Sequence, residues 1–147
     1  MNAWETKAWG RTRCTIDNLH FSRHELELYA HGFCSAHYHG HRSNRFVVFS
    51  GKVRVVTAYG WTLHHIDLVE GMSYSVRAHA VHQFQVLRPG VMIEEYYPDG
   101  HGAVVVQSDI HRLSVGGMLE QIDESKPGLI LPDGTLWESN SWTTPSL

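Results

Sequence analysis

Three histidines stand at two-residue spacing in Ala36-His37-Tyr38-His39-Gly40-His41, within a chain of 147 residues that carries 12 histidines. On an extended strand, residues two apart project to one side, so His37 and His39 share a face within a few ångströms of each other. A metal ion needs that spacing from a ligand pair, and neutral imidazole is the commonest side-chain ligand for transition metals. His41 has the same parity, but Gly40 before it and Arg42-Ser43-Asn44 after it mark a turn. His82 is a third candidate ligand: it opens His82-Gln83-Phe84-Gln85-Val86, where His82, Phe84 and Val86 share a face. The competing reading of an isolated HxH is a pair of ordinary surface histidines. Beside a metal, a reaction needs a base or an anchor. Glu94 and Glu95 are neighbours on one strand, so one faces in and the other out, and spacing alone does not say which. A glutamate turned into an apolar barrel has a raised pKa and serves as a general base. Arg45, Arg54 and Arg77 fall near the expected barrel mouths.

Strand signals recur along the chain and helical periodicity does not. Residues 24–29 alternate and stop at Ala30-His31-Gly32, and residues 46–50 break at Gly51-Lys52. Residues 53–59, 62–68, 72–76, 82–87 and 91–97 follow, separated by glycine- or proline-bearing turns. Short strands with such turns about every 8–12 residues predict an all-β barrel or sandwich whose inward faces can enclose a ligand. From Ser114 onward the pattern is broken at Gly116-Gly117, Lys126-Pro127-Gly128 and Pro132-Asp133-Gly134, and residues 139–147 are polar. About 30 residues cannot bury a core of their own. The chain is therefore read as one domain over residues 1–147, with a barrel over about residues 7–113 and a peripheral, irregular tail over 114–147. Tyr38, between the two inward histidines, points outward, and with Phe46, Phe49 and Trp61 it packs sheet against sheet or against a partner. His20, His24, His31, His64, His65, His101 and His111 are read as ordinary surface or edge residues.

The net charge of −3, with both signs interspersed, leaves no basic stripe for a nucleic-acid backbone. The longest apolar runs, Val47-Val48-Phe49 and Val104-Val105-Val106, are far too short to span a membrane. Met1-Asn2-Ala3-Trp4-Glu5 lacks a basic-then-apolar signal segment, and Cys14 and Cys34 read as free thiols, so the expected setting is the cytoplasm. There is no GxSxG and no P-loop, and Gly100-His101-Gly102 lacks the strand-to-helix context of a nucleotide fold.

The layout resembles the cupin superfamily. Its first motif reads HxH, three or four residues, Glu, six residues, Gly; here His37 and His39 precede Asn44 and Gly51. Its second motif has Gly, five residues, Pro, four residues, His; here these positions are Gly71, Arg77 and His82. Lys7-Ala8-Trp9-Gly10, the segments 41–51 and 91–97, and Ser108-Asp109-Ile110-His111-Arg112-Leu113 are similar to parts of the cupin domain of type II phosphomannose isomerases. The resemblance implies a small, double-stranded cupin barrel that forms a homodimer. It implies His37, His39 and His82 as ligands of a divalent transition metal (Zn, Fe, Mn or Ni), with Asn44 at the fourth position. Arg42 matches an arginine that anchors a phosphate or carboxylate, His41 and Arg45 flank it, and His79 stands at a turn glycine where it lines the entrance or adopts left-handed geometry. The activity implied is metal-dependent aldose–ketose isomerisation of a sugar or sugar phosphate, with Glu94 or Glu95 moving the proton. A non-haem iron dioxygenase and a non-catalytic sugar- or small-molecule-binding module stand as alternatives.

Overall fold

The computed structural model describes residues 2–60 and 62–138, and every strand or helix element among them is a β-strand. Strands β1 (Glu5–Lys7), β2 (Gly10–Asn18) and β3 (Phe21–Leu28) form a meander. From β3 the sheet continues through β11 (Gly90–Pro98) and β6 (Arg42–Val48) to β9 (Ser73–Val76), giving six antiparallel strands. The opposing sheet runs from β8 (Thr62–Val69) through β7 (Lys52–Tyr59) to β10 (Val81–Arg88). Two short strands, β4 (Gly32–Phe33) and β5 (His37–Tyr38), share the far edge of β10 and are extended by β13 (Gly117–Met118) and β12 (His111–Arg112). A separate hairpin joins β14 (Leu129–Ile130) and β15 (Leu136–Trp137). This is the double-stranded antiparallel barrel of the cupin fold.

Alternation decides which side chains go in. On β3, Leu26 and Leu28 are buried between the sheets while Glu25 and Glu27 pair with Arg13 and Arg11 outside. On β11, Met92 joins the same core, and on β6 so do Phe46 and Val48. Trp9, Val53, Val55, Phe84 and Val86 are among the other members of this layer. Each such side chain contributes about 1.5–3 kcal/mol on leaving water. Phe46 is thus an interior residue packed between sheets, whereas Phe49 is exposed and Trp61 lies outside the described residues.

Residues 53–57 of β7 are buried without a break, because the second sheet is covered on both faces. Val56, Leu63 and Ala36 on its outer face pack against Leu129 of the C-terminal hairpin, and Phe33 and Leu87 pack against Ile122 and Ile130. The tail is therefore a third layer over part of the barrel. Gly51, in the turn after β6, has φ +85, and a Cβ there would lie 2.6 Å from the Pro89 carbonyl oxygen, so both backbone and space demand glycine. Strand β2 shows no clean alternation in sequence: Thr12 and Cys14 face in, polar residues face out, and a bulge between Cys14 and Ile16 shifts the register.

Candidate metal centre

His37 and His82 are cross-strand partners on β5 and β10, and His39 follows two residues after His37, where β5 has ended. The ring centroids lie 4.5 Å apart for His37 and His82, 5.0 Å for His37 and His39, and 5.3 Å for His39 and His82. One nitrogen from each ring falls within 4.8 Å of the others, the one such group among the described residues. The other nitrogens explain the orientation. Nδ1 donates to the Ser35 carbonyl from His37 (2.8 Å), to the Asp109 carbonyl from His39 (2.7 Å) and to the Ala80 carbonyl from His82 (2.9 Å). A carbonyl only accepts, so all three rings carry their proton on Nδ1 and turn a bare Nε2 inward. The Nε2 atoms of His39 and His82 are buried with no hydrogen-bond partner among the described residues.

The rings are held neutral. Burial pushes the His37 pKa down to about 2, aided by His82 and His39; burial and His82 push His39 down to about 3; burial pushes His82 to about 4. A metal takes neutral imidazole, and backbone bonds on the far nitrogen are the usual support for such ligands. The residues fit a divalent transition metal, which is the cofactor this donor set serves.

A cavity of about 450 Å³ opens beside His37, lined by Trp9, His24, Arg42, Glu94, Tyr96 and Arg112 among others. The register of β11 settles the glutamate pair: Glu94 faces in and is buried, while Glu95 faces out, 3.8 Å from Arg45. Burial raises the Glu94 pKa against the opposing pull of a Tyr96 hydrogen bond, Arg42 and Asn44. Arg42 is only 3% exposed, its guanidinium lying 3.9 Å over the Tyr96 ring. Its Nε is 3.3 Å from His39 Nδ1, but that nitrogen already carries the proton given to Asp109, and two N–H donors do not bond each other. Arg42 Nη1 is buried without a partner, and among the described residues no carboxylate comes within ion-pair distance of the group. Asn44, also buried, donates from Nδ2 to Glu94 Oε2 at 3.0 Å and leaves Oδ1 unpartnered.

Several expected contacts lie elsewhere. Arg45 is on the outer face of its strand, because parity places it opposite to Arg42 and Asn44. His41 is exposed and does not line the cavity; its amide donates to Asp109. Arg54 is committed to Asp67 and the Glu124 carbonyl. Arg77 and His79 line a separate, more open groove with Tyr59 and Asp99. His79 adopts φ 70, the left-handed alternative, and its amide donates to the His39 carbonyl at 2.7 Å. Conversely, His24 is a wall of the cavity, correcting its reading as an ordinary edge residue; it shares parity with Leu26 and Leu28, a signal the sequence already carried. Asp109 had no such signal. Its carboxylate accepts from Gly40 and His41 amides and its carbonyl from His39, clasping the ligand loop from 70 residues away.

No protein-family model matches this chain, and no curated protein does. Solved structures do. The chain is similar to the Lactobacillus farciminis oxalate decarboxylase in its formate complex, with TM-score 0.63 and 14% identity over 76% of this chain and 33% of that one. An oxalate decarboxylase from Bacillus subtilis, solved at pH 4.6, matches with TM-score 0.63 and 15% identity over 76% of this chain and 30% of that one. The same enzyme, in work on its Mn(II) centres, matches with TM-score 0.64 and 14% identity over the same shares. The chain thus spans about a third of the length of these proteins and shares their fold.

Proposed function

We propose that this protein is a metal-dependent enzyme acting on a small polar anion, and that the reaction its site serves best is aldose–ketose isomerisation of a sugar or sugar phosphate. The observation that carries the reading is the convergence of three neutral imidazoles beside a cavity that holds one unpaired buried cation, Arg42, and one buried carboxylate, Glu94. A divalent metal held by His37, His39 and His82 would supply Lewis-acid polarisation of the substrate's carbonyl and hydroxyl oxygens.

The chain's own residues do the rest. Arg42 presents N–H donors to a phosphate or carboxylate, the paired geometry for which guanidinium is suited. The guanidinium rests over the Tyr96 ring, an attraction that helps to hold it at the cavity. Glu94 accepts the proton from the carbon next to the carbonyl and returns it to the former carbonyl carbon, while that first carbon's hydroxyl proton passes through solvent to the old carbonyl oxygen, so no atom is gained or lost. A carboxylate offers about four lone-pair sites, so the bonds from Asn44 and Tyr96 leave room for that proton. Trp9 and Phe84 wall the cavity with apolar surface and limit water. We read the protein as a cytoplasmic homodimer, a reading supported by its two free thiols and by the family it resembles.

The test is turnover in deuterated water. Protein loaded with Zn, Mn, Fe or Ni should isomerise a sugar phosphate such as mannose 6-phosphate and place solvent deuterium on the product carbon, and Glu94→Gln should abolish both. Absence of bound metal in the wild type, or undiminished turnover in His37→Ala and His82→Ala, would overturn it. Oxygen uptake with Fe(II), or a ligand held unchanged for hours, would reassign the site to dioxygen chemistry or to binding alone.

A further inference from the structure

Three neutral imidazoles and an amide bring no negative charge to a divalent ion, and among the residues lining the cavity one carboxylate is buried: Glu94. It does not stand alone. Its Oε2 accepts from Asn44 Nδ2 at 3.0 Å, across the β6–β11 pairing in which Glu94 faces Phe46 and Tyr96 faces Asn44. Asn44 sits on the inner face of β6 between Arg42 and Phe46. Arg42 reaches His39, at 3.3 Å, and the Phe46 ring centroid lies 6.1 Å from that of His82. Asn44, between them, is buried on the same inner face as both residues.

An amide can turn either end forward. An ionised carboxylate beside it only accepts, so deprotonated Glu94 takes an N–H of the NH2 end and turns Oδ1 away from itself. That oxygen is buried and unpartnered, like the Nε2 atoms of His39 and His82. Burying an acceptor unpaired is costly, and three such atoms in one region, His39 Nε2, His82 Nε2 and Asn44 Oδ1, point to a missing electrophilic partner.

We propose that Glu94 is the positioning residue of the metal centre: through Asn44 it fixes the amide oxygen as a fourth donor, and it lends the centre the negative charge that the donors themselves lack. The inference rests on the metal-centre reading above and deepens it. It assigns the charge to an outer carboxylate rather than to a ligand, so the ion keeps open positions for substrate while the site remains partly neutralised.

The test uses Co(II), read by calorimetry and by its visible absorption spectrum, on the whole chain. Wild type should bind with four protein donors. Glu94→Gln should lower affinity about 10- to 100-fold and change the spectrum, since the new amide no longer dictates which end of Asn44 faces the ion. The double variant Asn44→Asp/Glu94→Gln exchanges donor and acceptor across the same hydrogen bond and should recover the affinity, which also answers the objection that Glu94→Gln merely disturbs folding. Wild-type affinity and spectrum in Glu94→Gln, or a double variant as weak as the single one, overturns this inference and leaves the metal centre standing. A wild type that binds no Co(II), Zn(II) or Mn(II) overturns both.

Discussion

On strand β10, His82 and Gln83 are neighbours, both fully buried, and the two faces of the strand treat them in opposite ways. Gln83 looks outward beneath the C-terminal hairpin. Its Nε2 donates to the Cys34 and Ile130 carbonyls, and its Oε1 accepts from the Ile130 amide and from Gln85, whose own Nε2 also reaches the Gly128 carbonyl. His82 looks inward. Its Nδ1 is satisfied by Ala80 while its Nε2 has no partner, and nearby His39, Asn44 and Arg42 each leave one atom likewise unpaired. Burial of a polar group is common to both faces. Satisfaction separates them: a network whose members partner each other holds the fold, whereas a set of orphans aimed at one region awaits a ligand.

The contrast is open to attack from both sides. The largest effect is expected at the inward face. His82→Ala should reduce metal affinity on the order of 10²-fold or more. Metal at 100 times its Kd should raise wild-type stability by about 2.7 kcal/mol, and chelation should remove that gain. At the same metal concentration the variant should gain no more than about 0.4 kcal/mol, and a gain equal to the wild type's would break the assignment. Next is the outward face. Gln83→Ala leaves two carbonyls and one amide of the Cys34–Ile130 contact unpaired and should cost about 2–3 kcal/mol in urea unfolding, with metal stoichiometry unchanged. Metal loss at wild-type stability would reverse the two roles.

A smaller shift of opposite sign is expected at Arg42. Replacing it by Met removes a buried cation that has no carboxylate partner, so stability should stay level or rise by about 0–2 kcal/mol while phosphate or carboxylate affinity collapses. Loss of stability instead would mean that the guanidinium is satisfied within the fold. The smallest effect concerns His24, whose pKa is lowered chiefly by burial. The unfolded ring binds a proton below about pH 6.5 while the folded one resists, so this residue's contribution is intact above that pH and fades as pH falls. His24→Gln should flatten the acid limb of the stability curve slightly, by under about 1 kcal/mol, in urea titrations between pH 7 and 5. An unchanged slope would show the ring to be solvated.

Much of the site is legible in the sequence because it depends on period two. Two-residue spacing predicts that His37 and His39 share a side, and on β10 His82 shares a face with Phe84 and Val86. The glutamate pair shows the limit. Alternation required one inward residue from Glu94 and Glu95, but only the register of β11 against β3 and β6 chooses Glu94. Parity also puts Arg42 and Asn44 on one face and Arg45 on the other, a distinction invisible until β6 is known to begin at Arg42.

Local sequence thus determined the strands with clean alternation, the turn at Gly51 and the ligand pair, since each depends on neighbours a few residues apart. Pairing across the chain decided the rest. Asp109 clasps His39 from 70 residues away, Ile130 seals Gln83 from 47, and Asn44 meets Glu94 across 50. Those contacts follow from which strands lie side by side, a property of the whole barrel that no short window of sequence contains.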